Sequence, residues 1–195
     1  MKILFLGGVL LATFGTFGIS NTQHTQASKY AGQETREIKS LSPDDIAELR
    51  RGGGWGLAKS AELNGMPGPA HLLELKDKIP LKPEQVSDIQ KIFDEMKANA
   101  IREGEHLIEL EKQLESRFRD RTISDQELRR LLDGISKSRR DLRYIHLSAH
   151  LSTPALLTKD QITRYNQLRG YGDNPCASVP EGHDSTMWRK HNSCE

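Results

Sequence analysis

The chain has 195 residues, of which 35% are hydrophobic and 28% are charged, and its formal net charge is +1. This composition is typical of a folded protein with a thin core, and it favours long amphipathic helices over a deep sandwich or barrel. The near balance of acidic and basic residues gives no electrostatic reason to expect a nucleic-acid partner.

The first 27 residues have the layout of a secretory signal. Lys2 precedes an apolar run from Ile3 to Ile19, and a polar stretch with small residues follows that run. We expect cleavage after Ala27, which places the mature protein in the periplasm. The alternative is an uncleaved anchor, because the apolar run is about as long as the shortest membrane-spanning helices.

Residues 28–68 form an N-terminal extension in which short helices are predicted. Ser42 is a suitable helix cap and Pro43 a suitable first residue, and the run of three glycines from Gly52 ends that helix. Further short helices are predicted over residues 57–63 and 70–79. A phosphate-binding loop is excluded at the glycines because neither the GK[ST] ending nor a preceding strand is present.

Two long helices are predicted within residues 69–171. Apolar residues recur at three- and four-residue steps over residues 83–118 and again over residues 124–150, which is typical of amphipathic helices packed on a partner. Ser124 to Glu127 has the form of a capping box. Because only a short break separates the two helices, we predict antiparallel neighbours. The buried positions are expected to be Val86, Ile89, Phe93, Met96, Ala100, Leu107, Leu110 and Leu114 on the first helix, and Leu128, Leu131, Leu132, Ile135, Leu142, Ile145 and Ala149 on the second.

The predicted fold class is therefore all-α. It consists of a long antiparallel helix hairpin with short flanking helices, followed by an irregular tail over residues 172–195. A last helix begins after Thr158, whose side chain and that of Gln161 are predicted to form a capping box, and it ends at Gly170.

The start of the last helix also suggests a family. Leu157, Thr158 and Gln161 resemble the LTxxQ motif of the Spy/CpxP group of periplasmic proteins. Leu81 and Gln85 resemble an earlier copy, in which Lys82 replaces the usual threonine. The resemblance covers roughly residues 69–171. It implies a homodimer of helical hairpins that works without ATP, either as a chaperone for unfolded envelope proteins or as an envelope-stress accessory to a sensor kinase or anti-sigma partner.

A different function is suggested by relatives of the CnrX/ZraP type, which bind transition metals. His146 and His150 are four residues apart and share a helix face. Hairpin pairing places Met96 opposite His146, and His71 is expected near the same end. Such donors suit zinc, copper or nickel. The alternatives are therefore a periplasmic metal sensor or binding protein, and partly buried histidines that only hydrogen-bond to neighbours.

The tail contains Cys176, His183, His191 and Cys194. In an oxidising compartment the two cysteines are predicted to form a disulfide. The alternative is a tetrahedral zinc site made by all four residues, although the usual CxxC spacing is missing. His183 and His191 are weaker metal candidates in either case. No enzyme is predicted, because the chain lacks GxSxG, HExxH and phosphate-loop motifs.

Overall fold

The computed structural model describes residues 27–171, 179, 184–191 and 194. These residues form helices, turns and bends, with no strand among them, so the predicted all-α class is confirmed. The chain divides into two compact units, Met1–Glu34 and Thr35–Glu195. In the first unit only residues 27–34 are described, and they form turns. The predicted signal peptide lies outside the described residues except for Ala27.

The second unit contains all of the helices that the structure describes. Over the described ranges, no helix is both long and apolar enough to cross a lipid bilayer. In chain order the helices are α1 Pro43–Arg50, α2 Lys59–Glu62, α3 Pro69–Glu74, α4 Pro83–Arg119, α5 Asp125–Ser152, a 3-10 turn Thr153–Leu156, α6 Lys159–Arg169 and α7 Ser185–His191.

The two long helices α4 and α5 pack against each other and run antiparallel. Near the connecting turn the Arg117 guanidinium pairs with the Glu127 carboxylate at 2.9 Å. Further along, the Ser138 hydroxyl donates to the Glu103 carbonyl oxygen at 3.4 Å. Later residues of α5 thus face earlier residues of α4, and the register brings His146 level with the part of α4 around Met96.

The core of the second unit has two apolar clusters. The first lies between the segment leading into α1, α1 itself, and the middle of the α4–α5 pair, and the second joins α3, the start of α4 and α6. Each fully buried Leu or Ile stabilises the fold by about 1.5–3 kcal/mol relative to an exposed one. The buried members are Ile38, Leu41, Leu49, Leu107, Ile108, Leu110, Leu131, Ile135 and Leu142 in the first cluster, and Leu72, Ile79, Ile89 and Tyr165 in the second.

A glycine lets α1 approach α4. A Cβ atom at Gly104 would lie 2.6 Å from the carbonyl oxygen of Leu49, at the end of α1. A side chain at this position would push the two helices apart, so the absence of one permits the contact. Since α1, α2 and α3 all belong to the same compact unit as α4 and α5, the boundary predicted at residue 68 falls inside that unit.

Three local expectations differ from the structure. Leu132 is 45% exposed, because the buried stripe of α5 passes through Leu131 and a neighbouring residue points about 100° away from it. Ser124 caps the Glu127 amide, but the Glu127 carboxylate binds Arg117 and does not complete the capping box. Helices α2 and α3 are shorter than predicted, because turns occupy residues 55–58 and 63–65 on either side of α2 and residues 75–80 after α3.

Candidate functional site

A cavity of about 720 Å³ lies where the short helices meet the α4–α5 pair. Its walls come from the glycine-rich turn after α1, from α2, α3, α4 and α5, and from the end of α6. The four metal candidates predicted within the helical domain all line this one cavity. They are His71, Met96, His146 and His150.

A buried carboxylate that the sequence analysis did not single out lies at the centre of one wall. Glu62, at the end of α2, is 8% exposed. Its Oε1 atom accepts hydrogen bonds from the Tyr165 hydroxyl at 3.0 Å and from the Tyr171 hydroxyl at 3.1 Å. The Arg169 guanidinium lies 3.0 Å from the same oxygen. Glu62 therefore ties α2 to α6 and the residues that follow it.

Two histidines also face Glu62. His71 Nδ1 lies 3.1 Å from Oε1, and His150 Nε2 lies 3.8 Å from Oε2. Burial by itself would raise the pKa of Glu62, but the charges of His71 and Arg169 and the tyrosine hydroxyls outweigh it and hold that pKa below its usual value. Burial, with the neighbouring Glu62 charge, raises the pKa of Tyr165 well above its usual value. The carboxylate is thus ionised and the Tyr165 phenol neutral.

His150 is held in one orientation by the backbone. Its Nδ1 atom is 2.8 Å from the Met66 carbonyl oxygen. A carbonyl oxygen can only accept, so Nδ1 carries a proton and, in the neutral ring, Nε2 holds the lone pair. Gly68 makes room for this ring, since a Cβ atom there would lie 2.4 Å from Nε2. The turn at residues 66–68 therefore both orients His150 and leaves its second nitrogen facing the cavity wall.

One nitrogen of His146 has no partner among the described residues. The residue is 4% exposed, and its Nε2 atom makes no hydrogen bond within the described part of the chain. Burial lowers the pKa of His146, the neighbouring His150 adds to that effect, and a backbone hydrogen bond with Gly53 opposes it. The lowered pKa favours the neutral ring. An Nε2 lone pair that accepts nothing from its surroundings is costly in a buried position.

The predicted site residues of the tail fall partly outside the described residues. His106, which is not a site candidate, is exposed on α4, and its Nδ1 atom lies 3.1 Å from Glu103 Oε1. His191 ends α7, while Cys176 and His183 lie outside the described residues. Cys194 is disulfide-bonded. The structure thus gathers the helix-borne candidates into one cavity.

The donor set fits a metal in part. Imidazole nitrogens oriented by backbone carbonyls are the usual form of histidine ligands, and His150 has this form. Among the described residues, however, no group of three or more His, Cys, Asp or Glu side chains is arranged to hold a metal ion. A metal bound here would therefore rest on the two histidines and on a donor of another type, of which the Met96 thioether is the one lining the cavity.

The sequence around Glu62 carries little indication that this residue belongs to a site. It lies two residues before Asn64-Gly65, which ends a helix, and a carboxylate at such a position is ordinarily solvated. Glu62 is buried by residues that other elements bring to it, Tyr165 and Arg169 from α6 and His150 from α5.

No protein-family model matches the chain, and neither a curated protein nor a solved structure matches it.

Proposed function

We propose that this protein is an exported, helical metal-binding protein, a sensor or buffer of the Spy/CpxP and CnrX/ZraP type, with His146 and His150 as its principal ligands. The observation that carries the proposal is a pair of buried imidazoles that line one cavity: His150 is held through Nδ1 by the Met66 carbonyl, and His146 has a buried Nε2 atom with no partner among the described residues. A bound transition metal supplies the partner that the His146 lone pair lacks. The Met66 carbonyl fixes the tautomer of His150 and orients its ring.

Metal titration of the oxidised full chain tests the proposal. Calorimetry with zinc, copper and nickel should reveal one site of micromolar or tighter affinity, and His146→Ala or His150→Ala should weaken it by about 10- to 100-fold or more. His106→Ala is the matched control, because His106 is a helix-borne histidine outside the cavity. Circular dichroism establishes that each variant is folded. Equal binding by all three variants, or no binding by the parent protein, refutes the proposal.

A second candidate function is the holding of unfolded envelope proteins without ATP. Tyr144 and Leu151 are each 69% exposed and lie seven residues apart on α5, so both project from the same helix face. Beside them a hollow of about 300 Å³ is lined by Ile92 and Ile145, among others. Large exposed apolar side chains on one face can bind the apolar segments of unfolded client chains weakly.

Aggregation assays separate the two candidates. A chaperone delays the aggregation of a denatured client equally well with and without a chelator. Replacing Tyr144 and Leu151 together by serine should then abolish the delay, while Phe118→Ser, at the far end of the helix pair, serves as the control with a similar exposed apolar side chain. If the double variant protects the client as well as the parent does, this face of α5 is not the client surface.

A further inference from the structure

We infer that the cavity selects a soft monovalent cation, cuprous copper or its analogue silver, through the imidazole nitrogens of His146 and His150 and the thioether sulfur of Met96. This inference rests on the proposed function and narrows it, since that proposal leaves the metal open among zinc, copper and nickel. Three independent features of the cavity lead to the same choice. They are its carboxylate, its charge and its available donors.

Two carboxylates line the cavity, and the buried one, Glu62, already has partners, whereas Glu74 is exposed to solvent. Glu62 Oε1 receives the Arg169 guanidinium and two tyrosine hydroxyls, and Oε2 faces His150. Recruiting Glu62 as a ligand would leave the half-buried Arg169 without its partner, which is costly for a charge removed from water. Divalent ions such as zinc and nickel rely on anionic or numerous donors for charge compensation. The cavity therefore offers zinc or nickel few donors that would compensate their charge.

The charge around the cavity also disfavours a divalent ion. Four basic residues line it, against the two carboxylates Glu62 and Glu74; the basic residues are Arg51, Lys59, Lys97 and Arg169. Arg51 pairs with Glu48 and Arg169 with Glu62, whereas Lys59 and Lys97 make no ion pair with any described residue. The cost of desolvating an ion rises steeply with its charge, so a monovalent ion enters such surroundings with less penalty.

The available donors are neutral and soft. The Nε2 atom of the buried His146 ring has no partner among the described residues. Met96 lines the same cavity with an uncharged thioether. Thioether sulfur selects cuprous copper among biological metals, and imidazole nitrogen binds copper well. Two nitrogens and one sulfur suffice for a d¹⁰ monovalent ion, which accepts low coordination numbers.

The test is a calorimetric comparison of silver nitrate, zinc sulfate and nickel sulfate with the full chain in a chloride-free, thiol-free buffer. The protein is first shown to contain no reactive thiol, because a thiolate would capture silver. We expect one equivalent of silver to bind more tightly than zinc or nickel. Met96→Leu should weaken silver binding by about tenfold or more while leaving zinc binding unchanged. Met187→Leu, which alters an exposed methionine of α7, should change neither.

The outcomes separate the inference from the proposed function. If zinc or nickel binds more tightly than silver and the binding depends on His146, the metal-binding proposal stands and the preference for a monovalent ion is wrong. That preference is also wrong if Met96→Leu leaves silver affinity unchanged. If none of the three metals binds, the proposed function itself fails. Because Leu and Met have similar volumes, Met96→Leu is expected to fold, and circular dichroism checks this.

Discussion

The side-chain amides of Gln85 and Gln161 hydrogen-bond to each other in both directions. Gln85 Nε2 donates to Gln161 Oε1 at 2.9 Å, and Gln161 Nε2 donates to Gln85 Oε1 at 3.0 Å. Each oxygen also accepts the backbone amide of its own N-cap residue, Lys82 or Thr158, at 2.9 Å. The starts of α4 and α6 are therefore joined through the residues that cap them. A buried polar pair with all of its partners satisfied specifies one arrangement of the two helices.

A double-mutant cycle at Gln85 and Gln161 tests whether the pair acts as a unit. Gln161 is the more buried of the two and also donates to the Pro80 carbonyl at 2.8 Å. Gln161→Leu should therefore cost about 1–3 kcal/mol of unfolding free energy. We expect a coupling energy of about 0.5–3 kcal/mol between the two sites, measured by urea unfolding. Strictly additive single effects would show that the two caps act independently.

Gly68 is predicted to be necessary for the position of His150. In Gly68→Ala the new methyl group would lie 2.4 Å from the imidazole, so the ring must move or the turn must open. We expect a loss of about 1–3 kcal/mol and weaker metal binding. The control is Gly54→Ala, which lies on the same cavity but meets no atom within 4 Å. If the two alanine variants unfold at the same urea concentration and bind metal alike, the crowding argument at Gly68 is wrong.

The unpartnered nitrogen of the buried His146 ring is predicted to lower the stability of the metal-free protein. His146→Leu replaces a buried ring that has an unpartnered nitrogen with an apolar side chain of similar size. We expect the variant to be as stable as the parent or more stable by up to about 1 kcal/mol, measured by urea unfolding in chelator. Added metal should stabilise the parent and not the variant. A large loss of stability in chelator would mean that His146 is primarily a structural residue.

Asp45 is predicted to make the N-terminal segment sensitive to acid. A hydrogen bond from Ser42, then one from Trp55 Nε1 at 2.8 Å, lowers the pKa of Asp45 below its ordinary 3.8. The folded form thus binds its proton less readily than the unfolded form. The resulting stability is present above about pH 4 and is lost as the pH falls through the folded pKa.

The measurement is the thermal midpoint of the parent and of Asp45→Asn between about pH 5 and about pH 3. The parent should lose more stability than the variant over this range. Asp44→Asn is the control, because Asp44 is an exposed residue of the same first turn. A parent and an Asp45→Asn variant with parallel pH profiles would rule out this carboxylate as a source of acid sensitivity.

The sequence by itself determined where the long helices begin and end, because those limits depend on local chemistry. Pro83 opens α4, Ser124 caps α5 and Gly170 ends α6 in a left-handed conformation, all within reach of sequence patterns. It also placed His146 opposite Met96, since the pairing of two helices joined by a short turn follows from their lengths. These features depend only on residues that are close along the chain or that lie on the two helices joined by one turn.

Tertiary structure alone decided which other groups surround the ligand candidates in the cavity wall. Glu62 lies in a four-residue helix with no distinguishing pattern, and Tyr165 and Arg169 reach it from more than a hundred residues further along the chain. Gly68 and Met66 likewise gain their roles from a histidine of α5. Contacts so distant along the chain leave no periodicity behind. The ligand candidates were therefore visible in the sequence, while the groups that orient, neutralise or crowd them were not.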